Sequence, residues 1–199
     1  MQVTRALDAV TLKKLYRFRH EVYVEQLQWL QAQKEGLLVD EFDVCAHNYA
    51  ALNDSGECIG SVRVVFDGPL GLPIERSFPL NGYRCGRRIA EICRLATADA
   101  YNNTRLGPLL MKAAYQCCIY KCISNIVVDA YMRRHKSVGL YDKMGFRPIG
   151  APYRDRYHDE KGLSLALELD VEHAQRTWPS DRAGLYKFFT RIDKAISHE

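Results

Sequence analysis

Two charged residues stand inside an apolar run, IAEICRLA, at residues 89–96. Strict alternation puts Glu91 on one face with Ile89, Cys93 and Leu95, and Arg94 on the other with Ala90, Ile92 and Ala96. One extra residue, a bulge, would bring Glu91 and Arg94 onto the same face. Charges in a central strand are costly unless paired. The run is therefore either a buried ion pair or a strand broken at a reaction site. Arg63 interrupts a second apolar run, GSVRVVF, as a salt-bridge partner or as a ligand. The segment VDEFD at 39–43 gathers three carboxylates around one aromatic residue. It reads either as a solvated turn, or as a turn anchored by Phe42 whose Asp40 and Asp43 hold an amino group at a pocket mouth. Arg133, Arg134 and Lys136 form a basic cluster, either a solvated helix start or a surface for an acidic partner.

Composition bounds what these residues can serve. The chain has 199 residues, enough for one domain with a full core. At 47% hydrophobic and 26% charged residues it reads as an ordinary globular protein. A net charge of +4 is too mild to imply nucleic acid. The seven cysteines include no C-x-x-C pair and no His/Cys cluster at metal spacing, so no metal is expected. They are expected to be buried thiols in a reducing cytoplasm. The N-terminal MQVTRALDAV lacks an apolar signal core, and no run approaches the ~20 residues of a membrane span.

The elements that must position these residues follow from periodicity. Asp8 can cap a helix that places Leu12, Leu15, Tyr16 and Arg19 on one face. Its apolar stripe continues through RHEVYVEQLQW at 19–29, where Trp29 is core or pocket wall, and Gly36 ends the helical region. Residues 47–52 and 58–66 are strands joined by the Asn53-Asp54-Ser55-Gly56 turn. Residues 68–79 form a Pro/Gly-rich loop in which Phe78 can plug a pocket. A helix over 106–123, apolar almost all round, must be buried against a sheet. With strands on either side, at 89–96 and 125–131, it gives a parallel right-handed crossover. A short helix over 137–144 is closed by Gly145. Strands at 146–149 and 163–169 follow, then a helix over 181–198. The sum is a mixed α/β (α+β) sheet in a single domain.

The segment VGLYDKMGFRPIG at 138–150, together with the strand, loop and helix leading to residue 110, resembles the GCN5-related N-acyltransferase fold. The ordered series RHEVYVEQLQW, VDEFD, GSVRVV, Phe78 and Glu91-Ile92-Cys93-Arg94 resembles that of acyl-homoserine lactone synthases. It is most similar to their relatives, the long-chain N-acyl amino acid synthases of the N-acyltyrosine synthase type. The resemblance runs from about residue 18 to 152.

The resemblance implies a mixed central sheet flanked by helices, with its fourth and fifth strands splayed. It makes residues 1–199 one acyltransferase domain, with an acceptor side in the N-terminal half and a thioester-binding core at about 89–150. It implies acyl transfer to the α-amino group of an amino acid. Glu91 is then the candidate base, raised in pKa by desolvation. Backbone N–H groups near Arg94 and Leu95 are the candidate oxyanion site, and Tyr141 the candidate proton donor to the thiolate. Arg94 or Arg63 would bind the acceptor carboxylate, with Arg19, Trp29, Phe78, Asp40 and Asp43 on the substrate side. The donor loop is Asn103-Thr104-Arg105-Leu106-Gly107-Pro108. A pyrophosphate cradle needs backbone amides, and Pro108 has none. This points to acyl-4'-phosphopantetheine on acyl carrier protein, with a coenzyme A thioester as the alternative donor. Arg105 and Gly107 would then touch the donor, and Arg133, Arg134 and Lys136 would dock the carrier protein. A monomer is expected. The alternatives are an acyl-homoserine lactone synthase using S-adenosylmethionine, a coenzyme A-dependent acetyltransferase, and a non-catalytic acyl-binding module.

Overall fold

Alternating and helical patterning resolve into the following elements. They are β1 (Gln2–Arg5), α1 (Ala9–His20), β2 (His47–Leu52), β3 (Cys58–Phe66), β4 (Ile89–Thr97), α2 (Leu106–Tyr120), β5 (Asn125–Tyr131) and α3 (His135–Met144). After these come β6 (Arg147–Pro148), β7 (Ser164–Asp170), α4 (Val171–Asp181), α5 (Ala183–Thr190) and β8 (Ile196–Ser197). This is a computed structural model that describes residues 1–133, 135–155 and 162–199, without the side chains of Lys34, His135, Lys136 and Ser137. The chain forms two compact units.

The first unit comprises Met1–Val64, Ile92–Cys117 and Ile192–Glu199. Its strands pair antiparallel, β1 with β2 and β2 with β3, and β8 adds to β1 in parallel. Asp8 caps α1 by accepting from the Val10 and Thr11 N–H groups, which removes two of the orphan donors at a helix start. The helix expected to run on toward Trp29 changes at Glu21 into a π-helix, Glu21–Gln26, whose wider turn sends the Leu27 N–H to the Val22 carbonyl at 3.0 Å. The buried α2 matches its all-round apolar sequence, with Leu106, Leu110 and Met111 at 0% exposure. It lies so close to β3 that a Cβ at Gly60 would meet Leu110 Cδ1 at 2.9 Å.

The second unit comprises Val65–Glu91 and Cys118–Arg191. Here β4 pairs in parallel with β5 over Ile89–Glu91 against Asn125–Val127, the expected crossover pairing. β7 pairs antiparallel with both β5 and β6. Gly145, at φ 87°, closes α3 as the sequence suggested.

Three expectations shift. In place of one helix over 181–198 stand α5 and the strand β8, because β1 offers a free edge in register with Ile196 and Ser197. α2 stops at Tyr120, and Cys122 turns left-handed at φ 52°. All seven cysteines are free thiols, but Cys45, Cys85 and Cys122 are exposed, since each lies in or beside a turn and not on an apolar face.

Candidate active site

Antiparallel register sets Asn48 directly across from Arg63, so both side chains share one face of β2 and β3. Around them the first unit builds a buried ion network. Arg19 donates to Asp43 Oδ1 at 2.9 Å and to Asn48 Oδ1 at 2.6 Å. Arg63 donates to Asp40 Oδ1 at 2.6 Å and lies 3.1 Å from Asp43 Oδ2. Its Nε donates to the Cys93 sulfur at 3.3 Å. Arg94 reaches Asp40 Oδ2 at 3.1 Å. Three guanidinium groups thus face two carboxylates, an excess of one positive charge.

The VDEFD segment is the anchored turn and not the solvated one. Phe42 is 3% exposed, and Asp40 and Asp43 close a reciprocal capping box over it. Both carboxylates are engaged by arginines, Asp40 by Arg63 and Arg94, and Asp43 by Arg19 and Arg63. Burial alone would raise the pKa of Asp40; Arg63, and then Arg94, hold it well below the usual carboxylate range. Burial pulls Arg63 down, but Cys93, Asp40 and Asp43 together raise it.

The pleat of β4 breaks at Arg94, whose φ is 53°. Carbonyls at and just after the kink accept from side chains. Ser61 donates to the Arg94 carbonyl at 2.8 Å, and Tyr23 to the Leu95 carbonyl at 3.3 Å. Arg94 itself lies over the Tyr23 ring at 5.3 Å and keeps 17% side-chain exposure. Among the described residues its other N–H groups make no hydrogen bond. Trp29 packs on Tyr23 with ring centroids 6.2 Å apart, beside the cluster of Phe18, Val22 and Leu38.

The donor loop leads into α2. Thr104 Oγ1 accepts from the Leu106 N–H at 3.2 Å, and Leu109 donates to the Arg105 carbonyl at 2.9 Å. Pro108 lacks a donor, and the Gly107 amide makes no hydrogen bond ahead of the helix among the described residues.

The second unit holds the other candidates. Glu91 is 2% exposed and accepts from the Ile74 N–H at 2.7 Å. Ile74 sits in a short 3₁₀ turn, Pro73–Arg76. Arg84 grips that loop, with two bonds to Asp67 at 2.8 and 2.9 Å and further contacts to Glu75. Phe78 stacks beside Tyr153 at 5.1 Å and comes within 2.6 Å of where a Gly150 Cβ would stand. Tyr141 is 5% exposed and packs on Phe146 at 5.3 Å. Arg133 is exposed. Arg134 lies outside the described residues, as does the side chain of Lys136.

Against known families, the model of the N-acyl amino acid synthase FeeM matches residues 14–168. The chain belongs to this family. It is therefore an acyltransferase that makes N-acyl amino acids. No curated protein matches the sequence. Among solved structures, a CoA-dependent acyl-homoserine lactone synthase, BjaI, with SAM and isopentyl-CoA, superposes with a TM-score of 0.72 at 18% identity. The match covers 100% of this chain and 93% of that one. FeeM, from uncultured soil microbes, superposes with a TM-score of 0.65 at 18% identity, over 87% of this chain and 92% of that one. MesI, another CoA-dependent acyl-homoserine lactone synthase, gives 0.67 at 18% identity, over 98% of each chain. These likenesses establish the GCN5-related N-acyltransferase-like fold that the sequence suggested.

In this FeeM-family chain several residues that hold the site were not singled out from sequence. Asn48, Ser61 and Tyr23 fix the arginines and the kink. Asn48 and Ser61 are polar residues at fully buried strand positions, and that mismatch was the available signal. Ile74 acts through its backbone, which no side-chain pattern reveals.

Proposed function

We propose that this chain moves a long-chain fatty acyl group from acyl carrier protein to the α-amino group of an amino acid, tyrosine being the acceptor. The observation that carries the donor assignment is the start of α2. Its Leu106 amide is taken by Thr104 and Pro108 has none, so a pyrophosphate finds few donors there. A phosphopantetheine arm carries one phosphate and needs less, which Gly107 N–H and the exposed Arg105 supply.

Glu91 takes a proton from the acceptor's ammonium group, directly or through a water. The freed nitrogen attacks the thioester carbonyl and forms the N–C bond. The developing oxyanion is held by backbone N–H at Leu95, beside the kink. Collapse breaks the C–S bond, the departing thiolate takes a proton from Tyr141, and the nitrogen's second proton returns to the Tyr141 oxygen, leaving the neutral amide and a free thiol. Arg94 pairs with the acceptor carboxylate, because it alone of the three network arginines keeps both exposure and unused donors. Arg63, at 1% exposure and engaged on three sides, holds the network in place, with Arg19, Asp40 and Asp43. Trp29 and Phe78 are apolar walls of their respective units. Arg133, Arg134 and Lys136 meet the acidic helix of the carrier protein in the cytoplasm.

A coenzyme A thioester is the second reading, since the structural neighbours BjaI and MesI are CoA-dependent. Mass spectrometry of lipid extracts from a host expressing the chain tests the product: N-acyl tyrosines are expected. Extracts that hold none, or that hold another N-acyl amino acid, overturn the acceptor assignment.

A further inference from the structure

One circuit of contacts in the second unit bears on Glu91. The Ile74 N–H donates to Glu91 Oε2 at 2.7 Å, and Ile74 lies in the 3₁₀ turn Pro73–Arg76. Leu72 and Ile74 are 1% and 4% exposed, so their side chains keep the turn buried. Apolar burial does not aim the N–H groups of the turn. Glu75 does: its Oε2 accepts from the Leu72 N–H at 2.9 Å, the return half of a capping box.

Arg84 joins this turn to the strand that carries Glu91. Both terminal nitrogens of its guanidinium donate to the Glu75 carboxylate. Its Nε and Nη2 also donate to Asp67 at 2.8 and 2.9 Å, a bidentate pair. The Asp67 N–H in turn donates to the Ile89 carbonyl at 3.0 Å, two residues before Glu91 on β4. The contacts thus close on themselves, from Glu91 through Ile74, Glu75, Arg84 and Asp67 back to β4. Every member lies within Val65–Glu91 of the second unit. Gly71 leaves room for the centre of the circuit. At its φ of 67° a Cβ would stand 2.7 Å from Glu75 Oε2 and 3.5 Å from Arg84 Nη2. Burial works against ionisation of Glu75, but Arg84 and the Leu72 N–H together hold its carboxyl below the usual range. A lone, partly exposed ion pair contributes little, whereas an arginine forked between two carboxylates fixes geometry.

We infer that Arg84 is a positioning residue for Glu91: through Glu75 and the 3₁₀ turn it aims the Ile74 N–H at the Glu91 carboxylate. This rests on the proposed role of Glu91 as the base, and adds the residue that tunes it. An N–H aimed at a carboxylate favours the charged form and lowers the pKa. A turn released from Arg84 gives up part of that bond, and the carboxyl of Glu91 then holds its proton to higher pH.

The test reads the Glu91 pKa directly, by carbon-13 NMR titration of the full chain labelled at its glutamate carboxyl carbons, with Glu91→Gln to assign the signal. Arg84→Met should raise it by about one unit, the size of a weakened hydrogen bond to a charged group. Glu75→Gln, which keeps the shape of the turn, should raise it by about half a unit, and it keeps the test open if Arg84→Met does not fold. Arg84→Lys should recover part of the shift, since an ammonium keeps the charge but not the fork. The acidic limb of the pH profile of kcat/KM for acyl transfer to tyrosine should move up by the same amounts. In a Glu91→Gln background Arg84→Met should slow turnover by less than about twofold, because the residue it acts through no longer titrates. An unmoved Glu91 pKa in Glu75→Gln and in every folded Arg84 variant overturns the inference. A raised pKa beside an unmoved rate profile would support the coupling and overturn Glu91 as the base instead.

Discussion

Asp43→Asn is the sharpest probe of the arginine network. Asp43 is 3% exposed and lies against Arg19, 1% exposed, at 2.9 Å and Arg63 at 3.1 Å. Losing its charge leaves Arg19 buried with Asn48 as its one hydrogen-bond partner among the described residues, while Arg63 keeps Asp40 and Cys93. Breaking a buried pair costs about 3–5 kcal/mol. The surviving partners put this site near the lower end, about 3 kcal/mol. For a chain of this size each kcal/mol moves Tm by about 2–4 °C, so a fall of about 6–12 °C is expected. Circular dichroism melts with a urea titration measure it. Replacing Arg19 with Met as well should recover much of the loss, because the orphaned charge is gone. Arg94→Met supplies the contrast. Its partly exposed pair with Asp40 should cost under about 1 kcal/mol, while KM for the amino acid rises by about tenfold or more. If Asp43→Asn lowers stability by less than about 1 kcal/mol, the three arginines do not depend on these two carboxylates for charge balance, and the reasoning fails.

Glu91→Gln should cut turnover by about 10²-fold or more while the fold survives, since the amide oxygen can still accept from Ile74; near-normal rates across pH would remove Glu91 from the mechanism. Acyl groups on carrier protein should give specificity constants at least about tenfold above the same groups on coenzyme A, and equal values would undo the reading of the Arg105–Pro108 loop. Reversing Arg133 and Arg134 to Glu should raise KM for carrier protein, most at low salt, and leave KM for the amino acid near its starting value; insensitivity to both charge and salt would place docking elsewhere. Asp40 should mark acid unfolding. Unfolded, it takes up its proton near pH ~3.9; folded, it stays charged far below that. Its contribution is therefore whole above about pH 4 and is lost as pH falls further. Asp40→Asn should flatten the stability–pH slope below about pH 4, and an unchanged slope there would show that Asp40 is not held ionised.

What the sequence made legible was whatever alternation and helical spacing encode directly. The apolar α2, the parallel run of β5 and the Gly145 stop were readable because each is a local pattern tied to burial. The charges in β3 and β4 were readable as anomalies, and the kink at Arg94 follows from asking what a charged residue does in an apolar strand. The partners were not readable. Nothing local says that Asp40 lies between Arg63 and Arg94, 23 and 54 residues further along the chain. An isolated carboxylate triplet looks the same whether it faces water, an amine or three arginines. Charge count would have narrowed this: three arginines at inward positions need acids, and VDEFD gathers three of them around an aromatic residue. Where the first unit's carboxylates are consumed by arginines, Asp40 is driven to stay ionised and has no basicity left to offer. The proposed base, Glu91, lies instead in the second unit, where it accepts from the Ile74 N–H.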